Sequence, residues 1–153
     1  QAAGMAYSLQ YLGGNPERFV YCSLGDGELD EGNVWEAAMF AKKYNLANLI
    51  AIVDRNNIQI GGDTEKVMLL GDLADKWRSF GWGAQEIDGH DHLAIIQAID
   101  KAKNARQPSV IIAHTIPGRG VDFMEYDYRW HGKSPNAEEA ERALAQLSEG
   151  GGE

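Results

Sequence analysis

The chain has 153 residues, 44% hydrophobic and 24% charged, and its 14 Lys and Arg against 23 Asp and Glu give a formal charge of −9. This is the composition of one globular domain, and no apolar run approaches the roughly 20 residues that a membrane-spanning helix needs. The acidic balance and scattered basic residues exclude the clustered Lys and Arg stripe by which a phosphate backbone is bound, so neither nucleic acid nor membrane is an expected partner.

Positions 1–12 place Ala2, Ala3, Met5, Ala6, Leu9 and Leu12 at helical spacing. No cap precedes them, and the charged segment and cleavage site of a signal peptide are lacking, so the expectation is a domain without its N-terminal part. Phe19 to Leu24 is a short apolar strand that contains the single cysteine, Cys22. A lone cysteine in such a run reads as a buried structural thiol in a reducing compartment, which predicts a cytoplasmic protein. Gly25-Asp26-Gly27 closes the strand, and 29–44 shows helical spacing. A second strand, 49–53, ends in Asp54-Arg55-Asn56-Asn57. Then come a helix at 73–80, a strand at 84–87, a helix at 92–103 with Asp91 as its cap, and a strand at 109–113. An acidic helix is expected at 136–146 after Pro135, followed by a flexible tail at 148–153 that reads as a true terminus.

Strands apolar throughout and alternating with helices predict the α/β class: an open, mostly parallel sheet with helices on both faces, forming one domain over 1–153. In such sheets ligands bind beyond the carboxyl ends of the strands, which directs attention to 24–32, 54–62, 88–91 and 114–132.

Gly25-x-Gly27 at the first strand end invites a dinucleotide reading, but Asp30 stands where the third glycine belongs. Asp26, Glu28, Asp30 and Glu31 crowd the same turn, so a bare pyrophosphate would meet like charges where it seeks free amides. Either these acids merely complement a helix dipole, or a divalent cation stands between them and any phosphate bound here. Asn56 follows Asp26 by 30 residues, the distance that sets neighbouring strand ends side by side across one crossover helix. A carboxylate, an amide oxygen and a backbone carbonyl just beyond would make half of an octahedral oxygen shell suited to magnesium. The glycine and terminal glutamate of a calcium loop are lacking.

The ordered motifs Gly25-Asp26-Gly27-Glu28-Leu29-Asp30-Glu31-Gly32, Trp35-Glu36-Ala37-Ala38, Val53-Asp54-Arg55-Asn56-Asn57, Asp88-Gly89-His90-Asp91, Thr115-Ile116-Pro117-Gly118-Arg119-Gly120 and Trp130-His131-Gly132 cover nearly the whole chain. Together they resemble the thiamine diphosphate signature in the form used by transketolases, and most of all the separately encoded N-terminal, diphosphate-binding subunit of the split type. The resemblance departs at the front, where the family's upstream Lys-Gly-His motif and Gly-rich stretch have no counterpart here.

The resemblance implies a thiamine diphosphate-binding fold, with thiamine diphosphate and Mg2+ as cofactors and Ca2+ or Mn2+ as substitutes. It further implies that Asp26 and Asn56 bind the metal by side-chain oxygens and Ile58 by its carbonyl. Gly25 and Gly27 lie at the diphosphate, to which Gly27 offers its amide. Ile60 packs on the cofactor rings, and His131 approaches diphosphate and substrate as the catalytic candidate. Glu31 and Glu36 match acids near the interface between active sites, and Trp35, Ala37 and Ala38 on the same helix are expected at a buried interface. The implied activity is transfer of a two-carbon ketol unit between sugar phosphates, carried out with a C-terminal, pyrimidine-binding subunit in a heterotetramer. Three alternatives remain: deoxyxylulose-phosphate synthase, the alpha-type subunit of an oxo-acid dehydrogenase, and a non-catalytic cofactor-binding subunit. His90 reads as structural and His114 as a satisfied core residue. Tyr126, Tyr128 and Trp130 line a pocket or fill an interface, which the sequence does not separate.

Overall fold

The computed structural model describes residues 1–15 and 17–149. Helix α1 (Ala2–Tyr11) leads into β1 (Val20–Gly25), a 3-10 turn (Gly27–Asp30) and α2 (Gly32–Lys43). Strand β2 (Leu49–Arg55) is followed by a hairpin of β3 (Ile58–Gln59) and β4 (Gly62–Asp63), then α3 (Thr64–Val67) and α4 (Leu73–Ser79). Next come β5 (Gly83–Asp88), α5 (His92–Lys103) and β6 (Ser109–His114), a long connection with a 3-10 turn at Tyr128–Trp130, and α6 (Ala137–Glu149).

The main sheet has the order β1-β2-β6-β5 and is parallel at every pairing. The chain steps from β1 to β2 in one direction across the sheet and from β5 to β6 in the other. Right-handed crossovers running in opposite directions must lie on opposite faces. Accordingly Val34, Ala38 and Ala41 of α2 share one core with α1 and α4, while Ala98 and Ala102 of α5 cover the other face against Ile50 and Ile111. Central β2 is buried from both sides, with Ile50 and Val53 fully enclosed, which is why its sequence is apolar without alternation.

The predicted elements are found with several differences. The helix expected over 29–44 is two units: a 3-10 turn closed by the bonds from Leu29 N–H to the Asp26 carbonyl and from Glu31 N–H to the Glu28 carbonyl, then α2. Burying Leu29 in the core turns the chain there, and extended Glu31 restarts it. The β3–β4 hairpin lies almost wholly in the stretch 54–62, read only as ligand-bearing, and α3 lies beyond it, where no element was expected. Asp91 does cap α5, accepting from the N–H groups of Leu93 and Ala94 at 2.8 and 3.1 Å.

Four side-chain expectations are corrected. Cys22 is only half-buried, although burial still raises its thiol pKa. His114 is exposed, not in the core, because it ends β6 at the open sheet edge, where it meets Glu86 at 2.9 Å. Trp35 and Ala38 serve this chain's own core: Trp35 stacks on Phe80 and donates its indole N–H to the Leu29 carbonyl, and Ala38 is fully covered. Residues 148 and 149 continue α6, and the rest of the expected tail lies outside the described residues. Among the described residues, no helix is long and apolar enough to cross a membrane.

Trp77 joins α4 to this core between Trp35 and Trp82, at ring-centroid distances of 5.2 and 4.8 Å, and is 1% exposed. Its indole nitrogen has no hydrogen-bond partner among the described residues, so packing rather than polar contact is what it contributes. Trp77→Ala should cost about 3–5 kcal/mol in urea unfolding, and Trp77→Phe distinctly less, because the ring stays while the orphan donor goes.

Candidate functional site at the β1 and β2 ends

Parallel pairing sets Gly25 opposite Asp54, so the segments leaving β1 and β2 emerge together. Asp26 heads the first and is 1% exposed. Its Oδ2 accepts two bonds, from the Asn57 N–H at 2.7 Å and from Arg55 Nη1 at 3.0 Å. Among the described residues its Oδ1 has no donor, and that oxygen is not fully sealed from solvent. Arg55, itself 8% exposed, reaches on through Nη2 to Glu65 Oε1 at 2.6 Å. Burial alone would raise the Glu65 carboxyl, but the bond from Arg55 together with the Gly71 and Leu70 amides holds it below its ordinary value.

The turn after β2 is built by its asparagines. Asn56 Oδ1 accepts from the Ile58 N–H at 3.0 Å, and its amide nitrogen donates to Asp54 at 3.0 Å. Asn57 adopts φ 64°, a left-handed conformation that asparagine tolerates, and this reverses the chain into the hairpin. The hairpin returns against the first turn: a side chain at Gly27 would put its Cβ 2.9 Å from that of Gln59. Gly27 is therefore glycine by close approach, and its N–H has no protein acceptor among the described residues. The crowded acids disperse in different directions. Glu28 accepts from the Gly25 N–H, Asp30 from Gln59, and exposed Glu31 from Asn33.

The long connection after β6 completes the site. Asn56, Ile58, Gly118, Met124, Trp130 and His131 line a cavity of about 210 Å³. A second cavity at the same turn, of about 160 Å³, is lined by Asn56, Asn57, Ile58, Asp63, Glu65 and Tyr126. Tyr126 sits at φ 59°, unusual for an aromatic residue, and left-handed backbone of this kind gathers at ligand sites. Ile60, at the hairpin tip, is 87% exposed. Larger hollows lie elsewhere, about 400 Å³ beneath α1 and about 490 Å³ beside His90 and His114. The first is walled mainly by apolar side chains, and in the second His114 is engaged by Glu86 and His90 by the Ile116 N–H at 2.7 Å. The smaller clefts are the ones bordered by the turn after β2, whose Asn57 N–H bonds Asp26.

Among the described residues, no group of three or more His, Cys, Asp or Glu is arranged to hold a metal. What converges here is a carboxylate, an amide oxygen with a second lone pair beyond its bond to Ile58, and backbone carbonyls, the hard oxygen chemistry that a divalent cation takes. The structure thus brings together Asp26, Gly27, Asn56, Ile58 and His131 from three segments. It leaves exposed Glu31 and Glu36 on the turn and helix beyond. Sequence reasoning missed Arg55 and Glu65 and left Tyr126 open between a pocket and an interface; the structure places it in a pocket. A charged residue at the end of an otherwise apolar strand was a signal for Arg55, and none existed for Glu65.

The model of the transketolase, thiamine diphosphate binding domain matches residues 13–148. The chain belongs to this family. It is 42% identical over 98% of its length to a 6-deoxy-6-sulfo-D-fructose transketolase subunit of Clostridium sp. strain MSTE9, covering 54% of that protein. It is also 42% identical, over 85% of its length, to an apulose-4-phosphate transketolase subunit of Phocaeicola vulgatus, covering 47% of it. The chain spans about half the length of these curated relatives. Its fold superposes on the transketolase of Campylobacter jejuni with a TM-score of 0.88 and 32% identity, over 96% of this chain and 24% of that one. The α/β sheet expected from the sequence is thus that of the thiamine diphosphate-binding domain of transketolases.

Because the Glu65 carboxyl is held below its ordinary value of 4.5, its contribution to stability is whole above that value and is lost as pH falls through the lower folded value. Thermal unfolding across this acidic window should show a shallower pH dependence for Glu65→Gln than for wild type, the two curves converging at the acid end.

Proposed function

We propose that this chain is the diphosphate-anchoring part of a magnesium- and thiamine diphosphate-dependent transketolase that moves a two-carbon ketol unit between sugar phosphates. Its proposed partner is a pyrimidine-binding subunit, in a cytoplasmic assembly with two copies of each. The observation that carries the reading is the shared cavity in which His131 meets Asn56 and Ile58, the turn that also bonds Asp26. The names of the two relatives, both of them subunits of transketolases and about twice as long as this chain, favour it over the other thiamine diphosphate enzymes and over a subunit without chemistry.

In this reading Asp26 Oδ1, Asn56 Oδ1 and the Ile58 carbonyl hold the cation, and the Gly27 N–H receives a diphosphate oxygen. The residues fit: the donors are hard oxygens, and the glycine leaves its amide open. When bound, the cofactor supplies a thiazolium carbon that adds to a ketose carbonyl and takes up the electrons of the broken carbon–carbon bond. The chain's own work is placement. Buried Asp26 fixes the anchor at the sheet edge, exposed Ile60 offers an apolar surface to the rings, and His131 holds or moves a proton at a substrate oxygen. Glu31 and Glu36 are exposed and free to meet a partner at the interface.

Cofactor binding should require a divalent cation, since the buried Asp26 carboxylate would otherwise face the diphosphate unscreened. Calorimetry is expected to show thiamine diphosphate binding that vanishes in excess chelator and in Asp26→Asn or Asn56→Ala, with the fold retained by circular dichroism. Undiminished binding in chelator would remove the metal from the site. His131→Ala, at an exposed position, should leave stability within about 1 kcal/mol while lowering ketol transfer in the assembly with its partner. Turnover by this chain alone would show that it needs no second subunit.

A further inference from the structure

We propose that Arg55 is a positioning residue for the cation: by holding Oδ2 of Asp26 it leaves the carboxylate only Oδ1 to give, and so selects a small octahedral cation, Mg2+ or Mn2+, over Ca2+. This rests on the proposed role of Asp26 as a cation ligand. Neither Arg55 nor Glu65 belongs to the ligand set that reading requires.

The asymmetry of the carboxylate carries the argument. Oδ2 takes both the Asn57 N–H at 2.7 Å and Arg55 Nη1 at 3.0 Å, whereas Oδ1 takes no donor among the described residues. The guanidinium is fixed at its far side as well. Nη2 lies 2.6 Å from Glu65 Oε1, and the Leu70 and Gly71 amides donate to Glu65 at 3.3 and 3.4 Å. Arg55 is 8% exposed, so this fork has no room to swing away from Asp26. Calcium gathers six to eight oxygens and commonly takes a carboxylate through both of them, while magnesium takes six in strict octahedral geometry and accepts one oxygen per carboxylate. A carboxylate with one oxygen already spoken for suits the second and starves the first. The positive charge of Arg55 acts in the same direction, since it offsets part of the negative charge by which calcium sites gain affinity.

The test is calorimetric titration of the full chain with thiamine diphosphate at saturating Mg2+ and, separately, at saturating Ca2+. Wild type should bind about tenfold or more tightly with Mg2+, and Arg55→Met should bring the two within about threefold, mainly through a gain with Ca2+. Arg55→Lys, which keeps a donor for Oδ2, should restore most of the preference. Glu65→Gln, at a partly exposed carboxylate, should shift the ratio the same way by a smaller amount, and it alone decides if Arg55→Met does not fold. A ratio unchanged in the folded variants, or affinities lowered equally with both metals, would reduce Arg55 to a structural ion pair and overturn the inference. Asp26→Asn separates the two levels: loss of cation-dependent binding there alongside unchanged ratios defeats only the inference, whereas retained binding defeats the role of Asp26 and the inference with it.

Discussion

The buried carboxylate of Asp26 is the constraint on which the rest of the site depends. A charge that is 1% exposed is costly to hold at a sheet edge unless hydrogen-bond donors surround it, and two of its donors come from the segment leaving the neighbouring strand. Meeting that need draws residues 55–57 against the turn after β1, which fixes where the hairpin starts. Removing one partner of such a buried pair leaves an uncompensated charge and typically costs about 3–5 kcal/mol, so this contact ties the stability of the strand ends to the geometry of the site.

The sheet supplies the rest of the geometry by its winding. Strands β1 and β2 enter from one direction and β5 and β6 from the other, so the loops that leave β2 and β6 meet at the middle of the sheet's carboxyl edge. The short contact between Thr115 and Asp54 closes this seam, and the Thr115 N–H reaches the Arg55 carbonyl at 3.2 Å. Crevices at such a reversal are where open parallel sheets hold ligands. Here the crevice is narrowed by a connection that folds on itself. Gly118, at φ 73°, presses so closely on Met124 that a side chain would lie 2.6 Å away, and Gly120 donates to Glu125 at 2.9 Å. The same loop carries Tyr126 and His131 to two separate clefts that share Asn56 and Ile58.

Charge is sorted at the same edge. The acids that crowd the first turn in sequence do not form one negative cluster in space, because each is turned to a different donor: a guanidinium, a backbone amide or a side-chain amide. That dispersal leaves the Gly27 N–H without a protein acceptor among the described residues, while Asp26 alone of these acids is buried. An acidic stretch and an anchoring role for an anionic cofactor are compatible for this reason.

The sequence by itself determined the class of fold and the order of its strands and helices, and its spacing set the candidate residues Asp26 and Asn56 at neighbouring strand ends. Period and composition specify these directly: strands buried on both faces must be apolar throughout, Asp91 must cap because the helix amides after it need an acceptor, and Asn56 follows Asp26 by the length of one crossover. It did not determine the break between the 3-10 turn and α2, which depends on burying Leu29, nor the exposure of His114, which depends on the strand ending at an open edge. The β3–β4 hairpin was equally hidden, since two-residue strands carry no periodicity. Arg55, Glu65 and Tyr126 were decided by the tertiary structure alone. Their meaning lies in contacts between segments that chain spacing does not encode, and only the folded seam shows which oxygen of Asp26 is taken and which is left.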